Sequence, residues 1–161
     1  MARTSRKQHK GLSGGMGKPR KGTGLQTAME KVCQTALYVR LSVFDSGKKD
    51  SDTVETQEAL LRQFLEGKPC FSIFDVYVDN GETGVDFKRD GFERLMEDVR
   101  AGRIDCIVVK DLSRFGRNYI EAGEYLEKVF PFLGIRFIAV NDGYDSADPA
   151  SADGLSLHLK N

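Results

Sequence analysis

Two arginines three residues apart, Arg114 and Arg117, follow a short apolar run, Ile104-Asp105-Cys106-Ile107-Val108-Val109. In a helix that spacing puts both guanidinium groups on one face, where they can close on a single anion. A second polar pair, Arg40 and Ser42, ends another apolar stretch, and Gln57, Asp79, Arg89, Asp111 and Ser113 fall at strand ends or on adjoining segments. This collection has a serine among several arginines but no histidine partner, since His9 and His158 stand near the two ends of the chain. A Ser-His-Asp triad therefore lacks its material, and no His, Cys and Asp cluster has metal-ligand spacing. Arginines around a serine suit phosphoryl transfer, whose transition state needs fixed positive donors more than a strong base. By analogy with oxyanion-hole deletions, each donor is worth roughly 3 kcal/mol of barrier. The plainer alternative is a set of surface salt bridges with a solvated or capping serine. Spacing alone does not separate the two.

The elements that would position these groups alternate. Ala36-Leu37-Tyr38-Val39-Arg40-Leu41-Ser42 reads as a first strand, with Tyr38 in the core. A helix follows the charged loop from Asp45 to Asp52, with Asp52 as N-cap, Glu55 as its reciprocal partner and Ala59, Leu60, Phe64 and Leu65 as its apolar stripe. Gly67 and Pro69 end it. The second strand covers Ser72 to Asp79 and runs into a long polar loop, Asn80 to Asp90, of the kind that carries function. Phe92, Leu95, Met96 and Val99 mark a second helix stopped by Gly102. The third strand is the Ile104–Val109 run, buried on both faces, with Phe115 as a packing anchor for the arginine segment. Ile120, Leu126, Val129 and Phe130 mark a third helix, closed by Pro131 and Gly134. Ile135 to Val140 is a fourth strand and Asn141-Asp142-Gly143 a turn. The order βαβαβαβ with short connections predicts a parallel sheet covered by helices, with ligand-binding groups at the carboxyl ends of its strands.

At 161 residues and 40% hydrophobic, the chain can build one ordinary core. No apolar run reaches the length of a membrane span, and no apolar region follows the basic start as a secretory signal requires. Three scattered cysteines, Cys33, Cys70 and Cys106, suit a reducing cytosol, with Cys106 a buried small hydrophobe. The net charge of zero hides an asymmetry. Residues 1–31 hold eight of the 24 Lys and Arg but one of the 24 acids, +7 against −7 for the remainder. With six glycines and few large apolar side chains, this arm is expected to be disordered. It reads either as nonspecific nucleic-acid affinity or as a plain leader. Its Gly17-Lys18 pair fails as a phosphate loop: Leu12 replaces the first glycine, Pro19 the Ser or Thr, and no strand precedes it.

Five stretches together resemble the catalytic domain of serine site-specific recombinases, with wording closest to the large serine recombinases and transposases of mobile elements. They are Tyr38-Val39-Arg40-Leu41-Ser42, Asp79-Asn80-Gly81-Glu82-Thr83-Gly84, Arg89-Asp90-Gly91-Phe92, Val109 through Asn118, and Asp142-Gly143-Tyr144-Asp145-Ser146. The resemblance spans residues 35–148 in the right order. It implies a resolvase-like α/β fold, a mostly parallel sheet of about four to five strands flanked by helices. It also implies Ser42 as the nucleophile on a DNA phosphodiester, forming a 5′-phosphoserine bond and releasing a 3′-hydroxyl. Arg40, Arg114 and Arg117 would grip the scissile phosphate, Arg89 and Gln57 would line the site, and Asp79 would support it. No cofactor and no metal are implied. The partners would be double-stranded DNA and further copies of the chain, a dimer on DNA and a tetramer in synapsis, in a DNA-associated bacterial cytoplasmic protein.

Two departures from the family pattern stand out. Small resolvases have an acid just before the first arginine of the pair, where this chain has Ser113. Asp111 lies two positions away and would point elsewhere in a helix, so it receives no role. The family also continues into a long oligomerisation helix and DNA-binding domains, whereas this sequence stops at Asn161. The expected organisation is a basic arm over 1–34, the catalytic domain over 35–148 and a truncated segment over 149–161. The rival to an enzyme is a catalytically idle fragment that binds DNA or full-length subunits. A small-molecule phosphatase or kinase lacks both a phosphate loop and metal carboxylates.

Overall fold

Strand β1 (Cys33–Arg40) lies in the interior of the sheet, paired on both edges, and both of its faces are apolar. Ala36 and Tyr38 point into one core, with Leu37 and Val39 into the other. A computed structural model describes residues 31–41, 53–79, 89–116 and 119–151. The remaining elements are α1 (Val54–Leu65), β2 (Phe71–Asp79), α2 (Asp90–Arg100), β3 (Cys106–Val109), α3 (Tyr119–Glu124), α4 (Phe130–Leu133), β4 (Arg136–Ala139) and β5 (Tyr144–Asp145). A π-helical stretch, Tyr125–Val129, joins α3 to α4.

The sheet order is β2-β1-β3-β4-β5. β1 pairs in parallel with β2 and β3, and β3 in parallel with β4, whereas β5 runs antiparallel to β4. The chain moves from β1 to one side for β2, then crosses back to β3 on the other side. That reversal opens a crevice beyond the carboxyl ends of β1 and β3, where an open α/β sheet takes its ligands. Alternation fills two cores. Tyr38, Tyr77, Ile107, Val109, Phe137 and Ala139 meet α2 and the α3–α4 helix on one face. Leu37, Val39, Cys106, Val108 and Ile138 meet Leu61 and Leu65 of α1 on the other. Cys106 is a buried small hydrophobe, and burial pushes its thiol up to about 12, so it stays protonated.

Several boundaries depart from the sequence reading. The N-cap of α1 is Thr53, whose Oγ1 accepts from the Thr56 amide at 3.2 Å. Asp52 and Thr53 are neighbouring residues both able to cap, and periodicity does not choose between them. The buried residues of α1 are Gln57, Leu61 and Leu65; of the expected stripe Leu65 is buried and Phe64 packs partly against the same core, while Ala59 is exposed. Ile120, expected inside, is 84% exposed, while Ala122, Leu126 and Phe130 face the core. Pro131 does not close its helix. The π-helical stretch has already shifted the register, with the Phe130 amide donating to the Tyr125 carbonyl, and the chain runs on to Gly134 in the left-handed region. The antiparallel β5 lies beyond the four strands read from the sequence. It is held by Arg136, which forks onto Asp145 at 2.9 and 2.6 Å, and by Ser146 paired with Phe137 through both backbone and Oγ.

Candidate active site

The crevice at the switch point collects Arg40 from the end of β1, Asp79 from the end of β2, Arg89 at the entry to α2, and Arg114 from the segment after β3. Gln57 reaches it from the first turn of α1. Five of the seven expected site residues are therefore gathered at one end of the sheet. Ser42 and Arg117 lie outside the described residues, as does most of the Asn80–Asp90 loop.

Asp79 organises the site from below. Its Oδ1 accepts from the Gly91 amide at 2.8 Å, and its Oδ2 from the Phe92 amide at 2.9 Å and the Tyr38 hydroxyl at 2.7 Å. It caps α2 from another strand, because Arg89, at the N-cap position, makes no side-chain cap bond. Two orphan helix amides are so satisfied by a carboxylate that also suits the positive helix end. Tyr38, read as core, is core at its ring and part of this network at its hydroxyl. Burial and then the hydrogen bond to Asp79 hold its phenol well above the usual value, so it remains a donor. Gly91 makes the approach possible: a Cβ there would sit 2.6 Å from the Val78 carbonyl oxygen. The Arg89-Asp90-Gly91-Phe92 step thus brings a strand end and a helix start almost into contact.

The arginine segment is not a helix running through Arg117. A single 3-10 turn, Leu112–Arg114, follows β3, capped by Asp111, which accepts from the Arg114 amide at 3.2 Å and from the Ser113 hydroxyl. Phe115 then drops into the core and ends the turn. Its ring centroid lies 4.9 Å from Phe137, 5.4 Å from Phe130 and 5.6 Å from Phe92, so it is the expected anchor. Asp111, given no role in sequence, holds the turn together and stands 3.9 Å from the Arg114 guanidinium. Asp111 stands at the N-cap with extended backbone and not inside a helix, so its carboxylate reaches the residues two and three ahead. Asp142, from the β4–β5 turn, was likewise not singled out; it accepts from the Leu112 amide at 2.7 Å.

The guanidinium groups are placed by backbone carbonyls of this same segment. Arg40 Nη2 donates to the Ser113 carbonyl at 2.5 Å and to the Gly116 carbonyl at 3.2 Å. Arg89 Nη2 donates to the Phe115 carbonyl, Nη1 pairs with Glu121 at 3.1 Å, and the group lies 4.0 Å over the Phe92 ring. Gln57 Nε2 donates to the Arg40 carbonyl at 3.2 Å. Arg89 and Arg114 are only 7% and 8% exposed and Gln57 2%, so positive charge is held here at a desolvation cost. Burial pulls the Arg40 guanidinium below its ordinary value, and the charges of Arg89 and Arg114 push it the same way. Arg40 Nε, Arg89 Nε and Gln57 Oε1 are buried and find no hydrogen-bond partner among the described residues. Buried donors without acceptors, among guanidinium groups that repel one another, make a site ready for an anion.

The family model for the resolvase N-terminal domain matches residues 35–159. The chain belongs to that family. It therefore carries the catalytic domain of a serine site-specific recombinase, a family of enzymes that cleave and rejoin DNA. The solved N-terminal catalytic domain of TP901-1 integrase is 24% identical, with a TM-score of 0.65 over 79% of this chain and 91% of that one. A resolvase family site-specific recombinase from Streptococcus pneumoniae is 29% identical, with a TM-score of 0.63 over 80% and 86%. The C-terminal catalytic domain of ISC1926 TnpA, an IS607-like serine recombinase, shares the fold at 20% identity and a TM-score of 0.52, over 78% of each chain. No curated protein matches the chain. Among the described residues of this resolvase-family domain, no helix is long and apolar enough to cross a membrane.

Proposed function

We propose that this resolvase-family domain cleaves one DNA strand by attack of Ser42 on a phosphodiester. The bond from phosphorus to the serine oxygen forms as the bond to the 3′ oxygen breaks. The serine gives up its proton and the departing 3′ oxygen takes one. The 5′-phosphoserine ester keeps the bond energy, so the reverse attack by a 3′-hydroxyl rejoins DNA without a further energy source. Arg40, Arg114 and Arg117 hold the phosphate, Arg89 and Gln57 line the pocket, and Asp79 fixes the frame on which Arg89 stands. In this reading residues 35–148 form the working domain and 1–34 a basic arm, the substrate is double-stranded DNA, and dimers and tetramers of the complete protein bring two duplexes together.

The observation that carries the reading is the cluster of Arg40, Arg89 and Arg114 at the switch point, with buried Nε donors on Arg40 and Arg89 that find no acceptor among the described residues. A phosphate supplies acceptors and charge at once. The decisive experiment traps the cleaved complex on target DNA, using a protein that carries this domain, and maps the attached peptide. The adduct should fall on Ser42 through the 5′ phosphate, and Ser42→Ala should bind DNA yet form none. Arg114→Lys should slow cleavage by roughly a hundredfold to a thousandfold, because lysine keeps the charge and loses the planar fork. Attachment at Ser113 or at any tyrosine would refute the assignment.

A further inference from the structure

We infer that Asp142, in the turn between β4 and β5, is a positioning residue for the arginine cluster. The stretch Asp142-Gly143-Tyr144-Asp145-Ser146 holds none of the residues given a catalytic role, yet each of its side chains is engaged. Tyr144 is buried, Asp145 takes the fork of Arg136, and Ser146 takes the Phe137 amide. Among the described residues, Asp142 is the one of these whose side chain hydrogen-bonds outside the β4–β5 pair and its flanking residues. Its Oδ2 accepts the Leu112 amide at 2.7 Å, at the first residue of the 3-10 turn that carries Arg114. Gly143, at φ +61°, turns the chain immediately after it.

The contact is not one of many equivalent braces. β3 and β4 remain zipped past their last paired residues, with the Val140 amide on the Val109 carbonyl at 3.0 Å and the Asn141 amide on the Lys110 carbonyl at 2.8 Å. Asp142 continues this ladder with a side chain where the backbones diverge. The amides of Arg114 and Phe115 are served from within the segment, by Asp111 and by the Leu112 carbonyl at 3.2 Å. Among the described residues, the Asp142 contact is thus the hydrogen bond that ties the start of the turn to the sheet, beside the burial of the Leu112 side chain in the core. The carbonyls of Ser113 and Gly116 lie on the same segment and hold Arg40. Displacing Leu112 therefore disturbs two guanidinium groups together. Arg89 is secured otherwise, by Glu121 and the Phe92 ring as well as the Phe115 carbonyl.

The inference rests on the strand-transfer reading only for what the arginines hold, and its test separates the two. The 161-residue chain is labelled with 15N, and the Nε–H groups of Arg40, Arg89 and Arg114 are followed by heteronuclear NOE and by titration with inorganic phosphate. In Asp142→Ala, Arg40 and Arg114 should lose rigidity while Arg89 keeps it, and phosphate affinity should fall about tenfold, the loss of one charge-assisted hydrogen bond. Asp142→Asn still presents an oxygen to the Leu112 amide and should stay within about twofold of wild type. Asp142→Glu keeps the charge but displaces the oxygens, and should loosen Arg40 and Arg114 as alanine does; it serves if the alanine variant fails to fold. Arg114 as rigid in Asp142→Ala as in wild type, or Arg89 loosening in step with it, would overturn the inference. A wild-type chain with no affinity for phosphate would count against the strand-transfer reading, while the Nε dynamics would still decide the role of Asp142.

Discussion

Replacing Gly91 by alanine should destabilise the domain, although the same change in an ordinary helix stabilises it. Alanine gains about 1 kcal/mol over glycine in helix propensity. Against this, the new Cβ would stand 2.6 Å from the Val78 carbonyl oxygen, 2.9 Å from its carbon and 3.0 Å from Asp79 Oδ1. Two of these are backbone atoms of β2, so neither can rotate away. Relief requires α2 to lift from the strand end, at an overpacking cost of about 1–3 kcal/mol. Lifting it also stretches the bonds from Asp79 to the Gly91 and Phe92 amides, a cap worth about 1–2 kcal/mol. The net loss is about 2 kcal/mol, or a fall in Tm of roughly 5–8 °C for a domain of this size. Urea unfolding followed by far-UV circular dichroism measures it. Because Asp79→Ala removes the same cap, the double variant should cost less than the sum of the single ones by about the cap energy. Gly91→Ala at or above wild-type stability, or strict additivity with Asp79→Ala, would refute the close-approach argument.

Phe115→Ala should cost about 3–5 kcal/mol by emptying the centre of the aromatic cluster, and calorimetry on the variant checks it. The same variant should also weaken phosphate binding wherever it still folds, because the Phe115 ring anchors the segment whose Ser113 and Gly116 carbonyls hold Arg40. In acid, Asp98 contributes a specific signature. Hydrogen bonds from Tyr77 first and Arg103 second hold its pKa below the ordinary 3.8, so its contribution is present above that value and is lost as pH falls through the lower folded one. Tyr77→Phe should therefore flatten the dependence of the urea midpoint on pH below about pH 4, and an unchanged slope would exclude the assignment.

The parts of the fold legible in sequence are those set by one-dimensional signals. The buried strands around Val39 and Val108, the amphipathic α2 and the glycine stops at 67, 102 and 134 follow from periodicity and turn chemistry. What was not legible depends on contacts across the sheet. Ile120 and Ala122 have the same local helical signature until the partner face is known, and Pro131 signals a stop unless a π-helical turn precedes it. β5 is two residues long and is specified by its pairing with Ile138 and Ala139 and by the fork of Arg136 on Asp145, not by its own composition. The site divides in the same way. Arg40, Gln57, Asp79, Arg89 and Arg114 came from strand ends and the family resemblance, and the structure brings these five together. The supporting carboxylates Asp111, Glu121 and Asp142 act through backbone amides or one arginine, and no spacing rule marks such partners in a sequence.

The position of β1 has a consequence for how the domain is made. The strand precedes its neighbour β3 by about seventy residues: Ala36 pairs with Ile107, and Arg40 finds its carbonyl acceptors 73 and 76 residues downstream. Until β3 is synthesised, β1 can pair only with β2 and exposes its other edge and both apolar faces. Such non-local pairing slows folding and leaves an aggregation-prone intermediate. It also means that the arginine cluster is assembled last. A chain interrupted before Ser113 has Arg40 without the carbonyl frame that aims it.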